Sequence, residues 1–354
     1  MPYANERPHR HQIPACSPQY RPLRYLSYCT TSDSINRSFR HGCWASGARH
    51  VTTGLADPRP VGRELALVGP AAMSVDVEDW FHVENLKPVI SRATWDDRES
   101  RIERNTARIL EILDQRGAAA TFFILGWIAE RHPALVRQIA QQGHEVASHG
   151  QGNDLVYALS PAEFRADVDR CKKILEDLTG RQVVGYRAPS FSITDWAVSI
   201  LQELGFQYDS SVFPTVAHDR YGTLPGVDAA HPILELRPGF FEVCISCLPV
   251  GNRGLPWGGG GYFRIIPYGL WQAGVRRILG SGSPYVFYIH PWELDPGQPR
   301  VSGLGMVNRF RHYVNLDRCE ERFRALVSGF QWTSVGSLLD QWKGEVASAL
   351  VERR

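Results

Sequence analysis

Three carboxylates stand within four positions in D-V-E-D, residues 76–79. Asp76 and Glu78 project to the same side while the chain stays extended, and Asp79 joins them if the strand breaks after Glu78. Packed together, such groups raise one another's pKa unless a cation offsets their charge. A bound metal ion is one solution. An arginine is another, and Arg187 in G-Y-R-A-P is placed to serve. Taken alone, the tetrad reads equally as a solvated acidic loop. A second stretch, S-H-G-Q-G-N-D-L, sets His149 among small residues just after an apolar run. Four positions on, where a second imidazole ligand is expected, stands Asn153. Asp209 in Y-D-S-S and His290 at the end of P-Y-V-F-Y-I-H are further polar residues that follow apolar runs.

The elements that must position these residues alternate. A-A-M-S-V-D-V reads as a strand and is followed by a helix over 98–116, where Ile102, Ile109, Ile112 and Leu113 recur at helical spacing before the stop at Gly117. Strands are expected at A-A-A-T-F-F-I-L, H-E-V-A-S-H, V-V-G-Y-R-A-P and F-Q-Y-D-S-S, with a late one at 284–290. Helices fall between them, around 133–142, over 161–178 and at W-A-V-S-I-L-Q-E-L. The second of these carries Ser160, Pro161 and Glu163 as a capping box, with Phe164, Val168, Cys171, Leu175 and Leu178 on one face. Such alternation predicts parallel βαβ units. Asp76, Glu78, Asp79, His149, Arg187, Asp209 and His290 then gather where strands stop, on the face of a β/α barrel that carries chemistry. The irregular stretch 212–283, with its Gly258–Gly261 run, is expected to build one rim.

Composition sets the limits. A net charge of +2 gives no reason to invoke nucleic acid. No apolar run reaches the ~18 residues of a membrane span, and the first residues lack the apolar core of a secretory signal, so a cytoplasmic location, peripheral to the membrane at most, is the default expectation. The seven cysteines are odd in number and scattered, which is not a disulfide framework. Cys244 and Cys247 form one C-x-x-C without a second pair, and F-F-E-V-C-I-S-C-L-P-V reads as a buried strand rather than a zinc site. Residues 1–70 are rich in Arg, Ser, Pro and His and lack apolar periodicity. They are expected to be a disordered extension, or a leader preceding a start near Met73.

The stretches M-S-V-D-V-E-D-W-F-H-V, A-T-F-F-I-L-G-W-I-A-E-R-H-P, G-H-E-V-A-S-H-G, G-Y-R-A-P-S-F-S-I-T, Y-D-S-S-V-F-P, G-G-G-Y-F-R, Y-I-H-P-W-E-L-D-P and R-F-R-H-Y-V-N-L-D, in that order, resemble the polysaccharide deacetylases of the NodB-homology family. The branch most resembled is the one associated with exosortase and exopolysaccharide loci. The resemblance runs from about Met73 to about Val335. It implies a distorted β/α barrel of about seven strands over 71–340, with a family-specific part at about 212–340. The reaction it implies is metal-dependent hydrolysis of an N-acetyl group on an amino sugar. The substrate would be an N-acetylated polysaccharide or a lipid-linked oligosaccharide; the oligomeric state stays open.

By motif, the resemblance makes Asp76 the general base, Arg187 the group that holds it ionised and oriented, His290 the general acid and Asp209 the residue that orients His290. Glu78 or Asp79 would supply the metal carboxylate and His149 the first imidazole. Trp80, Phe191 and Trp292 would offer apolar walls to the sugar. The metal would be zinc first, with cobalt, nickel or manganese as alternatives. The chain departs from the family's H-x-x-x-H at Asn153. Its amide oxygen could bind metal as a neutral hard donor, Asp154 could take its place, or the metal could be lost to leave a glycan-binding protein. A cyclic-ureide or imide hydrolase on the same barrel is a further reading.

Overall fold

In the computed structural model, residues 70–215, 221–250 and 253–351 are described. Of the expected extension over 1–70, residues 1–69, with Cys16, Cys29 and Cys43, lie outside them. The strands, in chain order, are β1 (Ala71–Val77), β2 (Thr121–Ile124), β3 (Glu145–Ser148), β4 (Gly185–Tyr186), β5 (Tyr208–Asp209), β6 (Ile233–Arg237), β7 (Phe240–Val243), β8 (Cys247–Val250), β9 (Arg253–Pro256) and β10 (Tyr285–Ile289). Eight of them form one curled sheet in the order β10-β1-β2-β3-β4-β5-β7-β6, while β8 and β9 make a separate hairpin. Every pairing from β10 to β7 is parallel, and only β6 runs antiparallel. The expected β/α barrel of about seven strands is therefore present, with β6 added at its edge.

The helices are α1 (Ile102–Asp114), α2 (Gly126–Arg131), α3 (Pro133–Gln141), α4 (Pro161–Thr179), α5 (Asp195–Glu203), α6 (Gly260–Ile265), α7 (Tyr268–Gly280), α8 (Met306–Tyr313), α9 (Cys319–Gly329) and α10 (Val335–Val351). The capping box of α4 forms as read, with Ser160 and Glu163 each bonding the other's backbone N–H. Alternation along the strands divides the core. Met73, Val75, Val77, Phe122, Ile124, Phe287 and Ile289 face the helices. Ala72, Phe123, Ala147, Tyr208, Val243, Val286 and Tyr288 fill the barrel interior. On β1 this places Ser74 and Asp76 on the interior side. At the opposite end of the barrel, the first N–H groups of α10 are met by Thr121 Oγ1 and Glu145 Oε2.

The stretch 240–250, read as one buried strand, is two. After β7 the chain breaks at Ser246, whose N–H donates to the Val286 carbonyl at 3.3 Å while its hydroxyl accepts from Val286 N–H at 2.8 Å. These bonds join the β7 side of the curled sheet to β10 where no ladder exists. Cys244 and Cys247 flank this break, buried and unpaired. Gly258 and Gly259 cross β10 closely: Tyr288 N–H donates to the Gly258 carbonyl at 2.7 Å. Gly259 has φ 137°, and a Cβ there would lie 1.9 Å from the Tyr288 carbonyl oxygen, so only glycine fits.

Candidate active site at the strand ends

Register brings the site together. Val75 lies opposite Ile289, so Asp76 and His290 sit at neighbouring strand ends. Ser148 lies opposite Tyr186, and Tyr186 opposite Asp209, so His149, Arg187 and Ser210 follow one another around the rim. Arg187 is fully buried and makes four hydrogen bonds. Its Nη1 donates to Asp76 Oδ1 and to Ser74 Oγ, each at 2.7 Å. Its Nε and Nη2 donate to the carbonyl and hydroxyl of Ser210 at 2.8 and 2.9 Å. Asp76 Oδ1 is thereby fixed, and Oδ2 faces His290 Nε2 at 4.0 Å. That gap is too long for a direct hydrogen bond and leaves room for a reacting atom between a carboxylate and an imidazole.

Glu78 and His149 form the neighbouring pair. His149 Nδ1 stands 2.8 Å from the Arg187 carbonyl, which can only accept, so Nδ1 carries the proton. In the neutral ring Nε2 then presents a lone pair, and it points at Glu78 Oε1 3.2 Å away. Two lone-pair atoms held this close require a proton or a cation between them. A carboxylate and an imidazole whose other nitrogen is pinned to a backbone carbonyl are the donor chemistry of a divalent-metal site. Burial acts to raise the Glu78 carboxyl, but its hydrogen bond with His149 and its electrostatic interaction with the neighbouring imidazoles, His290 foremost, hold it below its usual range.

His290 is oriented by a residue that the sequence reading missed. Its Nδ1 meets Glu293 Oε1 at 2.9 Å. Glu293 Oε2 in turn accepts from Arg264 Nε at 2.7 Å. Burial pulls the imidazole pKa down, but the hydrogen bond and charge of Glu293, with those of Glu78 and Asp76, outweigh it and raise it to about 9. Burial alone would raise the Glu293 carboxyl; Arg264 and His290 hold it down to about 2. The role expected of Asp209 is thus a misassignment. Asp209 accepts from the Ser211 hydroxyl and faces the Glu242 carboxyl across β5 and β7, away from the imidazole. The physical reason is local. P-W-E-L folds as a single 3-10 turn with Pro291 in its first turn, and that turn places Glu293 back under His290. The i, i+3 spacing of His290 and Glu293 was the available signal.

Asp79 is also corrected. β1 ends at Val77, as its sequence predicts, and Glu78 N–H turns back onto the Asp76 carbonyl at 2.9 Å. The Asp79 carboxylate then accepts from Ser100 Oγ and from the backbone N–H groups of Trp80, Arg101 and Ile102. It caps α1, whose own N-cap, Arg101, supplies no side-chain bond. Asn153, in the left-handed region at φ 57°, donates its amide N–H to the His82 carbonyl at 2.9 Å and does not line the cavity. It ties the 149–154 loop to the D-V-E-D-W-F-H segment. Asp154 is engaged by Arg92 at 2.6 Å on the surface. Trp80 is core rather than sugar wall: it packs with Phe81, Leu86 and Trp292, and its indole N–H donates to the Glu99 carbonyl at 3.0 Å.

A cavity of about 250 Å³ opens over these groups. Asp76, Glu78, His149 and His290 line it together with Phe191, Trp292, Tyr221, Tyr262 and Tyr288, and Glu84, Ile265 and Arg311 stand at its edge. Phe191 and Trp292, expected as apolar walls, do line it. Trp292 is stacked on the buried His312 ring at 4.6 Å. Among the described residues no group of three His, Cys, Asp or Glu converges as a metal site.

Fold and site together describe a parallel β/α barrel with a carboxylate–imidazole pair and a Glu–His donor pair at its strand ends. Residues 85–208 match the family model described as Polysaccharide deacetylase, and 210–340 match one described as a domain of unknown function, DUF3473. Over residues 85–208 the chain is thus similar to the polysaccharide deacetylases. A peptidoglycan deacetylase-like protein of Gibberella zeae is 37% identical over 107 residues, covering 30% of this chain and 32% of that protein. A peptidoglycan-N-acetylglucosamine deacetylase of Bacillus cereus is 30% identical over 102 residues, covering 29% and 47%. The chain thus spans between about a third and a half of the length of these curated relatives. The crystal structure of a putative polysaccharide deacetylase from Mycobacterium smegmatis shares the fold, with TM-score 0.54 and 21% identity over 81% of this chain and 94% of that one.

Proposed function

We propose that residues 71–340 hydrolyse N-acetyl groups on an amino-sugar glycan, an exopolysaccharide or its lipid-linked precursor, with a divalent metal as cofactor. The observation that carries this reading is Asp76 and His290 facing each other across 4.0 Å at the cavity, beside the Glu78–His149 pair. The name of one relative, a peptidoglycan-N-acetylglucosamine deacetylase, agrees with it.

Glu78 Oε1 and His149 Nε2 are the atoms that would hold the metal, with zinc the first candidate and cobalt, nickel or manganese next. When bound, such an ion polarises the amide carbonyl and lowers the pKa of a water. The chain's own residues do the rest. Asp76 Oδ1 is immobilised by Arg187, so Oδ2 is the atom free to take a proton from the attacking water. His290, protonated at neutral pH with a pKa of about 9, gives its Nε2 proton to the departing amine, which is too basic to leave as an anion. Glu293 keeps the ring in place and stabilises its charged form. Phe191, Trp292 and Tyr288 line the cavity that would receive the sugar.

The test is acetate release from N-acetylglucosamine oligomers of increasing length by protein loaded with zinc, cobalt, nickel or manganese. Release that requires metal and is lost in Asp76→Asn supports the proposal. Glycan binding without release at any length or with any metal would replace it with the sugar-binding reading.

A further inference from the structure

Helix α8 stands at the cavity edge and shows solvent a face that nothing in the proposed chemistry uses. Met306 is 89% exposed, Val307 62% and Phe310 57%. Three of the large exposed apolar side chains among the described residues thus fall within five positions of one helix, and Ile265, also exposed, is at the same cavity edge. At 3.6 residues per turn Met306, Val307 and Phe310 share about 100° of arc. Arg309 and Arg311 fall on its two flanks, and His312, fully buried, lies on the opposite side. The stretch 299–314 holds Arg300, Arg309 and Arg311 and no acidic residue. None of these arginines has an ion pair among the described residues. The helix is firmly held: Arg264 donates to the carbonyls of Arg311, His312 and Val314 at its C-terminal end. The apolar face is therefore a built outward surface of an anchored helix.

We propose that this face docks on an anionic lipid bilayer, with Met306, Val307 and Phe310 entering the headgroup–acyl boundary and Arg300 and Arg309 meeting lipid phosphates. An apolar arc flanked by unpaired arginines is complementary to such a surface, and less so to a neutral protein face. Arg311 lies on the same helix and at the cavity edge, so docking sets the cavity mouth against the membrane. That position suits a membrane-tethered glycan, a point that rests on the deacetylase reading; the surface itself does not.

The experiment is cosedimentation of the full chain with vesicles of equal parts phosphatidylglycerol and phosphatidylcholine, and with phosphatidylcholine alone. The anionic vesicles should bind at least ~10-fold more tightly than the neutral ones, and added salt should weaken them. The double variant Met306→Ser/Phe310→Ser should lose ~10-fold or more in affinity with an unchanged thermal midpoint. Arg309→Gln should weaken binding to the anionic vesicles alone. Acetate release from soluble oligomers should be the same in all three proteins, which separates failure of docking from failure of the deacetylase reading. Full binding by the double variant overturns the proposal. So does a dimer, seen by light scattering, that the double variant abolishes while vesicle binding is absent in the parent.

Discussion

At the scale of single residues, two carboxylates divide the work at the cavity. Asp76 is held by Arg187 through one oxygen and offers the other, while Glu293 is engaged through both, by His290 and Arg264. Replacing Asp76 by Asn keeps the Arg187 contact but removes the proton acceptor. Acetate release should fall ~10²–10⁴-fold with zinc content unchanged, read by release kinetics beside metal analysis. Glu293 acts through His290. Its hydrogen bond and charge are what lift the imidazole to about 9, so Glu293→Gln must lower that pKa. An acid works only while protonated. The alkaline limb of the pH–rate profile should therefore move to lower pH in the variant, with little change well below the new pKa. A uniform loss at every pH would assign Glu293 to folding alone.

At the scale of elements, one strand-end residue and one buried carboxyl pair hold the rim. Asp79 caps α1 from outside the helix, so Asp79→Ala should cost about 1–2 kcal/mol of stability, seen in urea unfolding, with kcat little altered. Asp209 and Glu242 lie opposite each other on β5 and β7 and are both fully buried. Glu242 Oε1 accepts from Ser211 and Val212 N–H, while Asp209 Oδ2 and Glu242 Oε2 meet no donor, so one shared proton must satisfy them. Burial raises the Asp209 carboxyl to about 6 and pushes Glu242 well above the usual range, where the charge of Asp209 adds to it. A carboxyl whose pKa is raised by folding contributes stability below its unfolded value, and that contribution is lost as pH rises through the folded value. Thermal midpoints should thus decline from about pH 4 upward past pH 6. Glu242→Gln, which can donate to Asp209 permanently, should flatten that decline. An unchanged slope would mean that the pair does not share a proton.

At the scale of the whole molecule, the metal would sit on a finished scaffold. Arg187, Ser74, Ser210 and the strand ladders position the rim without it. Chelation should therefore abolish acetate release while shifting the thermal midpoint by only a few degrees, and added zinc should restore both. Unfolding of the metal-free protein would contradict this. Position 153 tests the ligand set from the same side. The Asn153 amide is a strut to the His82 carbonyl. Asn153→His gives up that strut at a left-handed backbone position, so stability should fall. If the new imidazole reaches Glu78 and His149, zinc should bind ~10-fold more tightly by titration calorimetry.

Much was decided by the sequence itself. Apolar period and punctuation specified parallel βαβ units, the α4 capping box and the strand ends that carry Asp76, His149, Arg187 and His290, because these depend on neighbours a few positions apart. What only the tertiary structure decided depends on register and on contacts between distant segments. The break of β1 at Val77 turned Asp79 toward α1, 21 to 23 residues on, and left Glu78 alone with His149. Asp209 was drawn to Glu242 by pairing of β5 with β7, and the place beside His290 went to Glu293, held by Arg264 from another helix. A carboxylate's role is set by which cation or donor lies within about 3 Å, and that distance belongs to the packed chain.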